Sequence, residues 1–202
     1  MSRIAAVRAM LARRYHAMRL RVDGFLHPRR HRRALERLRS LGTPCRLLVV
    51  CHGNICRSPY LEAVLRRDMP DATISSAGFL RAERPIPENS RVVCAERGFD
   101  LSAFRSTTLT RGIAAASDLV IVMDARQARQ VVRDMAVPVA RVFIAGDLDP
   151  AAGERRAIRD PWNQPIEVFE TSFDRLDRCA KTLVHALADG AGPREVELSG
   201  HA

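Results

Sequence analysis

From Arg46 onward, short apolar runs rich in β-branched residues alternate with longer stretches of helical period. "RLLVVC", "ATISSAG", "DLVIVM" and "ARVFIAG" read as strands. Between the first two, "SPYLEAVLRRDM" reads as a helix with Pro59 near its first turn, where a missing N–H is harmless. "PENSRVVCAERGF" reads as a helix closed by Gly98, Thr110 to Ser117 as a short helix, and "ARQARQVVRDMA" as another. Glu167 to Ala188 carries Phe169, Phe173, Leu176, Ala180, Leu183, Val184 and Leu187 on one face, the inner stripe of a long amphipathic helix. This alternation predicts an α/β fold: a four-stranded parallel sheet with helices on both faces.

With 202 residues, 47% apolar and 28% charged, the chain can bury a real core, and its length suits one domain with something attached. No apolar stretch approaches the ~20 residues that cross a bilayer, and the first residues lack the pattern of a secretory signal. The five cysteines, Cys45, Cys51, Cys56, Cys94 and Cys179, are odd in number and lie in apolar surroundings. That is unlike a disulfide framework and suits a reducing cytoplasm.

The net charge of +10 sits at one end. Residues 1–46 hold 13 arginines against Asp23 and Glu36, while the remainder is close to neutral. Ile4, Val7, Leu11, Tyr15, Met18 and Val22 recur at helical spacing with arginines around them. Asp23-Gly24 reads as a stop, "HPRRHRRALERLRSLG" as a second helix ending at Gly42, and Thr43-Pro44 as a linker. The expected organisation is therefore an Arg-rich helical extension and linker over 1–44, an α/β body over 45–190 and a flexible tail over 191–202. Such an extension suits an anionic membrane surface, contacted through residues 1–42. Nucleic acid or an acidic partner is a less favoured alternative, and packing on the body or a transit peptide also fits the composition.

Ligand sites in sheets of this kind lie at the carboxyl ends of strands. There the segment Cys51-His-Gly-Asn-Ile-Cys-Arg57 has the form C-x5-R, followed by Ser58 and Pro59. Gly53 and Asn54 tolerate left-handed backbone angles, so successive N–H groups can turn inward as a nest for an anion. The helix N-terminus adds partial positive charge, and Arg57 supplies a planar fork matched to two phosphate oxygens. A cysteine at the centre of that field is a candidate nucleophile. Core packing of two cysteines does not explain the glycine, asparagine and arginine at the same bend. Zinc lacks a convincing second ligand pair, and a nucleotide loop would want Gly-Lys-Ser/Thr.

"VCHGNICRSP" resembles the signature of the low-molecular-weight protein tyrosine phosphatases, and the similarity extends from about Arg46 to about Asp189 through "SSAG", "GFDLSAFRS", "DLVIVMD" and a late "DPW". The resemblance implies a doubly wound domain with no metal and no cofactor. It implies a phosphotyrosine protein substrate attacked by Cys51, clamped by Arg57 and by the loop around His52, Gly53, Asn54 and Ile55. It further implies that Ser58 donates a hydrogen bond to the thiolate, that Asn54 holds the loop's shape, and that Cys56 is a thiol able to pair reversibly with Cys51. Bacterial relatives of this kind often act on tyrosine kinases that control exopolysaccharide export.

A phosphate ester also needs an acid for its leaving oxygen. Asp149-Pro150 and Asp160-Pro161 are candidates, since proline biases the preceding residue towards extended geometry. Asp160 is preferred because Trp162 follows it and the last helix begins shortly after, as in the family's acid loop, where an aromatic lines the cleft. Asp124 reads as a helix cap or supporting residue. The chain departs from the family in the segment "FLRAERPIP", which offers Phe79 at its start and then Arg81 and Arg84, and in Asn163, where a second tyrosine is frequent. Arsenate reductase on the same fold is the weaker enzymatic alternative, because Ser102 to Ser172 contains no relay cysteine. A phosphate-recognition module with a basic arm is the non-enzymatic one. The expected location is cytoplasmic, peripheral to a membrane if the extension lies on one.

Overall fold

Five consecutive buried residues, Leu47 to Cys51, make strand β1 (Arg46–Cys51) the spine of the molecule. The structure is a computed structural model that describes residues 3–42, 46–151 and 155–190. Strands β2 (Thr73–Gly78), β3 (Leu119–Val122) and β4 (Val142–Ile144) join β1 in one parallel sheet of order β2-β1-β3-β4. In register, Val49 stands between Ser76 of β2 and Ile121 of β3. Both faces are covered, which is why the central strands read as unbroken apolar runs. Leu47, Val49 and Cys51 face a core shared with α2 (Arg57–Asp68) and α6 (Ile166–Gly190). Leu48 and Val50 face the opposite core with α4 (Arg111–Ala115) and α5 (Ala125–Met135). The expected doubly wound α/β architecture is what the chain adopts.

Local chemistry fixes the element ends. Thr110 caps α4 through Ile113 N, and Asp124 caps α5 by accepting from Arg126 N at 2.7 Å and Gln127 N at 2.8 Å, as its sequence position suggested. Helix α3 (Glu88–Glu96) is followed by Gly98 at φ 83°, a left-handed position that suits glycine. The expected stripe of α6 is buried, with Val184 partly so; within it Phe173 stacks on Tyr60 of α2 at 4.0 Å.

The amino-terminal segment departs from expectation. Instead of two helices broken at Asp23-Gly24, a single helix α1 (Arg3–Arg39) passes straight through Pro28. An interior proline costs about 3 kcal/mol, and tertiary contacts on both sides of it offset that cost. Leu38 is fully buried and Ala34 nearly so; one fully buried leucine contributes about 1.5–3 kcal/mol. Across the proline, Arg30 reaches back to Asp23 at 2.8 Å, and Asp23 also accepts from Arg156 N at 3.4 Å. Buried His27 donates from Nε2 to the Asp149 carbonyl, and His31 Nδ1 bonds the Asp147 carbonyl, each at 2.9 Å. Arg37 lies over the Phe143 ring at 4.2 Å. The far half of α1 instead leaves Val7, Leu11, Tyr15, Met18, Val22 and Phe25 exposed. The Thr43-Pro44 linker, Cys45, the 191–202 tail and the Ile4 side chain lie outside the described residues.

Candidate active site

Cys51 ends β1 beside the point where the strand order turns from β2 on one side to β3 on the other, the position at which such sheets hold ligands. Its sulfur accepts two hydrogen bonds, from Asn54 N at 3.2 Å and from Ser58 Oγ at 3.1 Å. Asn54, at φ 53°, takes the left-handed turn that brings its amide round to the sulfur. Gly53 was also expected there, but its φ is not positive. Its lack of a side chain serves another end: a Cβ would stand 2.9 Å from Arg84 Nη2, the group that donates to the Gly53 carbonyl and so braces the loop from outside. Gly78 matters for a similar reason, since a Cβ there would stand 2.7 Å from Asn54 N.

A directional chain of hydrogen bonds supports the sulfur. Thr107 N donates to Asn54 Oδ1 at 2.7 Å, which aims the amide nitrogen Nδ2 at Ser58 Oγ (2.9 Å) and Ser76 Oγ (2.8 Å). That nitrogen can only donate. Each serine must therefore spend its own hydrogen elsewhere: Ser58 on the Cys51 sulfur, and Ser76 on the Glu62 carboxylate. Burial pushes the Glu62 carboxyl above the ordinary range, against the pull of Ser76 and Arg66. The roles expected of Asn54 and Ser58 match this geometry. Ser76, Glu62 and Thr107 were not singled out from sequence, though Glu62 stands one helical turn after Ser58 on α2.

Arg57 begins α2 and is buried. Its Nη2 lies 2.6 Å from Asp160 Oδ2 and its Nη1 donates to the Ile158 carbonyl at 3.1 Å. Its Nε is buried and has no partner among the described residues, a donor that an oxyanion in the loop would satisfy. Asp160 is half-exposed and reaches this point from the segment before α6. Asp149, the other candidate acid, is fully buried. Burial alone would raise its carboxyl, but hydrogen bonds from Arg178 and Arg175 outweigh this and hold it below the ordinary range. It ties α6 to the loop after β4.

A cleft of about 1110 Å³ opens over these groups, with His52, Arg57, Asp124 and Asp160 among its walls. Cys51 is only 2% exposed, so its sulfur is recessed. Trp162, expected as the aromatic wall, is 60% exposed and outside this lining; its backbone N–H instead donates to Asp160 Oδ1 at 3.3 Å. The apolar walls are Phe79, Leu80, Ala157, Ile158 and Leu20, the last contributed by α1. Arg81 and Arg84 do not line the cleft either. The Ile55 side chain and Cys56 are buried in the core. Burial, and next the neighbouring Cys51, push the Cys56 thiol well up. Cys51, Cys56 and Cys94 are free thiols, and Cys94 and Cys179, the other thiols that a reductase relay would have to draw on, are fully buried. No group of His, Cys, Asp and Glu among the described residues is arranged to hold a metal ion.

Comparison with known proteins agrees with this geometry. The profile of the family described as low molecular weight phosphotyrosine protein phosphatase matches residues 46–191. A probable low molecular weight protein-tyrosine-phosphatase, EpsP of Ralstonia nicotianae, is 32% identical over 133 residues, 65% of this chain and 88% of the relative. The crystal structure of the Erwinia amylovora tyrosine phosphatase AmsI superposes with a TM-score of 0.67 at 29% identity, covering 72% of this chain and 95% of that one. The YwlE arginine phosphatase of Geobacillus stearothermophilus gives 0.64 at 26% identity, covering 79% of this chain and all of its own.

Proposed function

Since this chain belongs to the low-molecular-weight protein tyrosine phosphatase family, we propose that Cys51 is its nucleophile, Arg57 its phosphate clamp and Asp160 its general acid and base. The enzyme is a cysteine-dependent protein tyrosine phosphatase. The Cys51 thiolate attacks phosphorus in line with the ester bond while Arg57 and the amides of residues 52–56 hold the equatorial oxygens. As the P–O bond breaks, its electron pair leaves on the phenolic oxygen, which takes the Asp160 proton. Water then attacks the phosphocysteine, Asp160 accepts its proton, and the P–S bond breaks to release phosphate and regenerate the thiolate.

The observation that carries this reading is the sulfur gripped by Asn54 N and Ser58 Oγ, with the Arg57–Asp160 pair beside it. The depth of that sulfur favours a long, flat phosphotyrosine over the shorter phosphoserine, and Phe79, Leu80 and Leu20 supply apolar contact for the ring. Phosphate release should be followed from matched phosphotyrosine, phosphoserine, phosphothreonine and phosphoarginine peptides. Tyrosine should be fastest; equal rates on all four would reject the substrate assignment. Cys51→Ser should abolish turnover. The natural partner proposed is a tyrosine-phosphorylated protein, with a bacterial tyrosine kinase among the candidates.

The outward face of α1 supports a peripheral attachment. No helix among the described residues is long and apolar enough to cross a membrane. Val7, Leu11, Met18, Val22 and Phe25 instead form one exposed stripe, with Arg8, Arg14 and Arg21 along its flanks, the pattern of a helix lying in an anionic interface. The full chain should sediment with anionic but not neutral phospholipid vesicles, and should lose this in the Leu11→Asp/Met18→Asp variant. Salt-sensitive DNA binding that survives those changes, without vesicle binding, would transfer the role to nucleic acid.

A further inference from the structure

Beside the catalytic cleft lies a second hollow of about 680 Å³, between α1 and α5 and over the edge strand β4. Its floor is apolar, with Ala128, Val132 and Phe143. Its rims are basic, with Arg33 on α1 and Arg129 on α5. The carboxylate in its lining, Asp147, is already occupied by Arg156 through two bonds of 2.7 and 2.6 Å. Arg133 is paired with Asp134 at 2.6 Å, and Arg37 is spent on the carbonyls of Val139, Ala140 and Val142. Arg33 and Arg129 have no carboxylate partner among the described residues, and neither does Arg126 at the mouth of the cleft.

The two hollows share their walls. Helix α1 gives Leu20 to the cleft and Arg33 to the groove; α5 gives Arg126 and Arg129; the segment before Asp160 gives Arg155 and Arg156. From Leu20 to Arg33 along a helix is about 20 Å, the span of about six residues of extended chain. A small anion would use neither that length nor the apolar floor. The arginines ask for negative charge, and the floor asks for intervening side chains.

We propose that this α1–α5 groove receives the acidic segment flanking the phosphorylated tyrosine of the substrate protein, with Arg33, Arg126 and Arg129 pairing with its carboxylates. The inference rests on the catalytic reading above but is tested separately from it. Exposed charge pairs are individually weak, so the arginines act by steering the substrate and lowering KM rather than by changing the chemical step.

Steady-state kinetics should compare phosphotyrosine peptides with Asp/Glu-rich flanks, N-terminal or C-terminal, against a neutral-flanked peptide and 4-nitrophenyl phosphate. In the wild type one acidic peptide should have the lowest KM, and its advantage should fall with added salt. Arg33→Glu/Arg129→Glu should raise that KM roughly tenfold at unchanged kcat, with hydrolysis of 4-nitrophenyl phosphate unaltered. The milder Arg33→Gln/Arg129→Gln variant should lie between. Equal kcat/KM for acidic and neutral peptides in the wild type would overturn the proposal. So would losses in the variants that are the same for 4-nitrophenyl phosphate, or a loss of vesicle binding with no change in peptide KM, which would give the groove to lipid headgroups. Absence of 4-nitrophenyl phosphate hydrolysis by the wild type would instead sink the catalytic reading.

Discussion

Arg57 Nη2 and Asp160 Oδ2 lie 2.6 Å apart, so the residue proposed to clamp phosphate also holds the residue proposed as the acid. The second anchor, Nη1 to the Ile158 carbonyl, fixes the backbone two residues upstream. One buried guanidinium thus positions a loop that arrives from the far end of the sequence. In the proposed mechanism that carboxylate protonates the leaving oxygen, and its position is set by Arg57 before substrate arrives.

Asp160→Asn keeps the shape and removes the proton. On a phosphotyrosine peptide kcat should fall by about 10²–10⁴. The loss should be smaller on 4-nitrophenyl phosphate, whose leaving group needs less help. An equal loss on both substrates would contradict the acid role.

Ser58→Ala removes one of the two donors to the Cys51 sulfur. A hydrogen bond to a charged group is worth about 1.5–3 kcal/mol, so turnover should drop by roughly tenfold or more. Turnover equal to that of the wild type would show that the network is merely structural.

Gly78→Ala would press a methyl group against the backbone of the phosphate loop, 2.7 Å from Asn54 N and 2.9 Å from Gly53 C. Backbone cannot swing aside as a long side chain can, and overpacking of this kind costs about 1–3 kcal/mol. Lower thermal stability together with a raised inhibition constant for inorganic phosphate is expected. Unchanged phosphate inhibition would mean that the loop tolerates the shift.

Asp149→Asn breaks a buried ion cluster by removing the carboxylate that Arg175 and Arg178 share; such losses typically reach about 3–5 kcal/mol. The Asp149 carboxyl is held below its ordinary value, so its contribution is complete above the unfolded value near 3.9 and is lost as pH falls through the lower folded value. Melting temperatures of wild type and variant should differ most near neutrality and converge in acid below about pH 4. A gap independent of pH would argue for packing alone.

Much of this was readable because strand and helix periods differ, and because C-x5-R at a strand end is dense in chemical meaning. Cys51, Arg57, Asn54 and Ser58 fall within a few residues, and local spacing is enough to bring them together. Asp160 was singled out through its neighbours and does lie beside Arg57, although Trp162, which pointed to it, faces solvent. What sequence could not show depends on distance along the chain. Leu20, Arg84 and Thr107 reach the site from other segments through contacts that have no local signature. The break expected at Asp23-Gly24 failed for the same reason. Local propensity favoured a stop, and His27, Ala34 and Leu38, anchored on the distant body, overrode it.

Helix α1 buries its own Leu38, packs on α6, lays Arg37 over Phe143 and lends Leu20 to the cleft. An enzyme trimmed back to the family's usual starting strand would therefore be a different enzyme, not the same one without an ornament. Its barest form would bare a greasy flank and gape at one side of the pocket. Poor solubility and altered selectivity are the expected outcome of a single cut, since part of one pocket wall comes from residues ahead of those that the family profile matches.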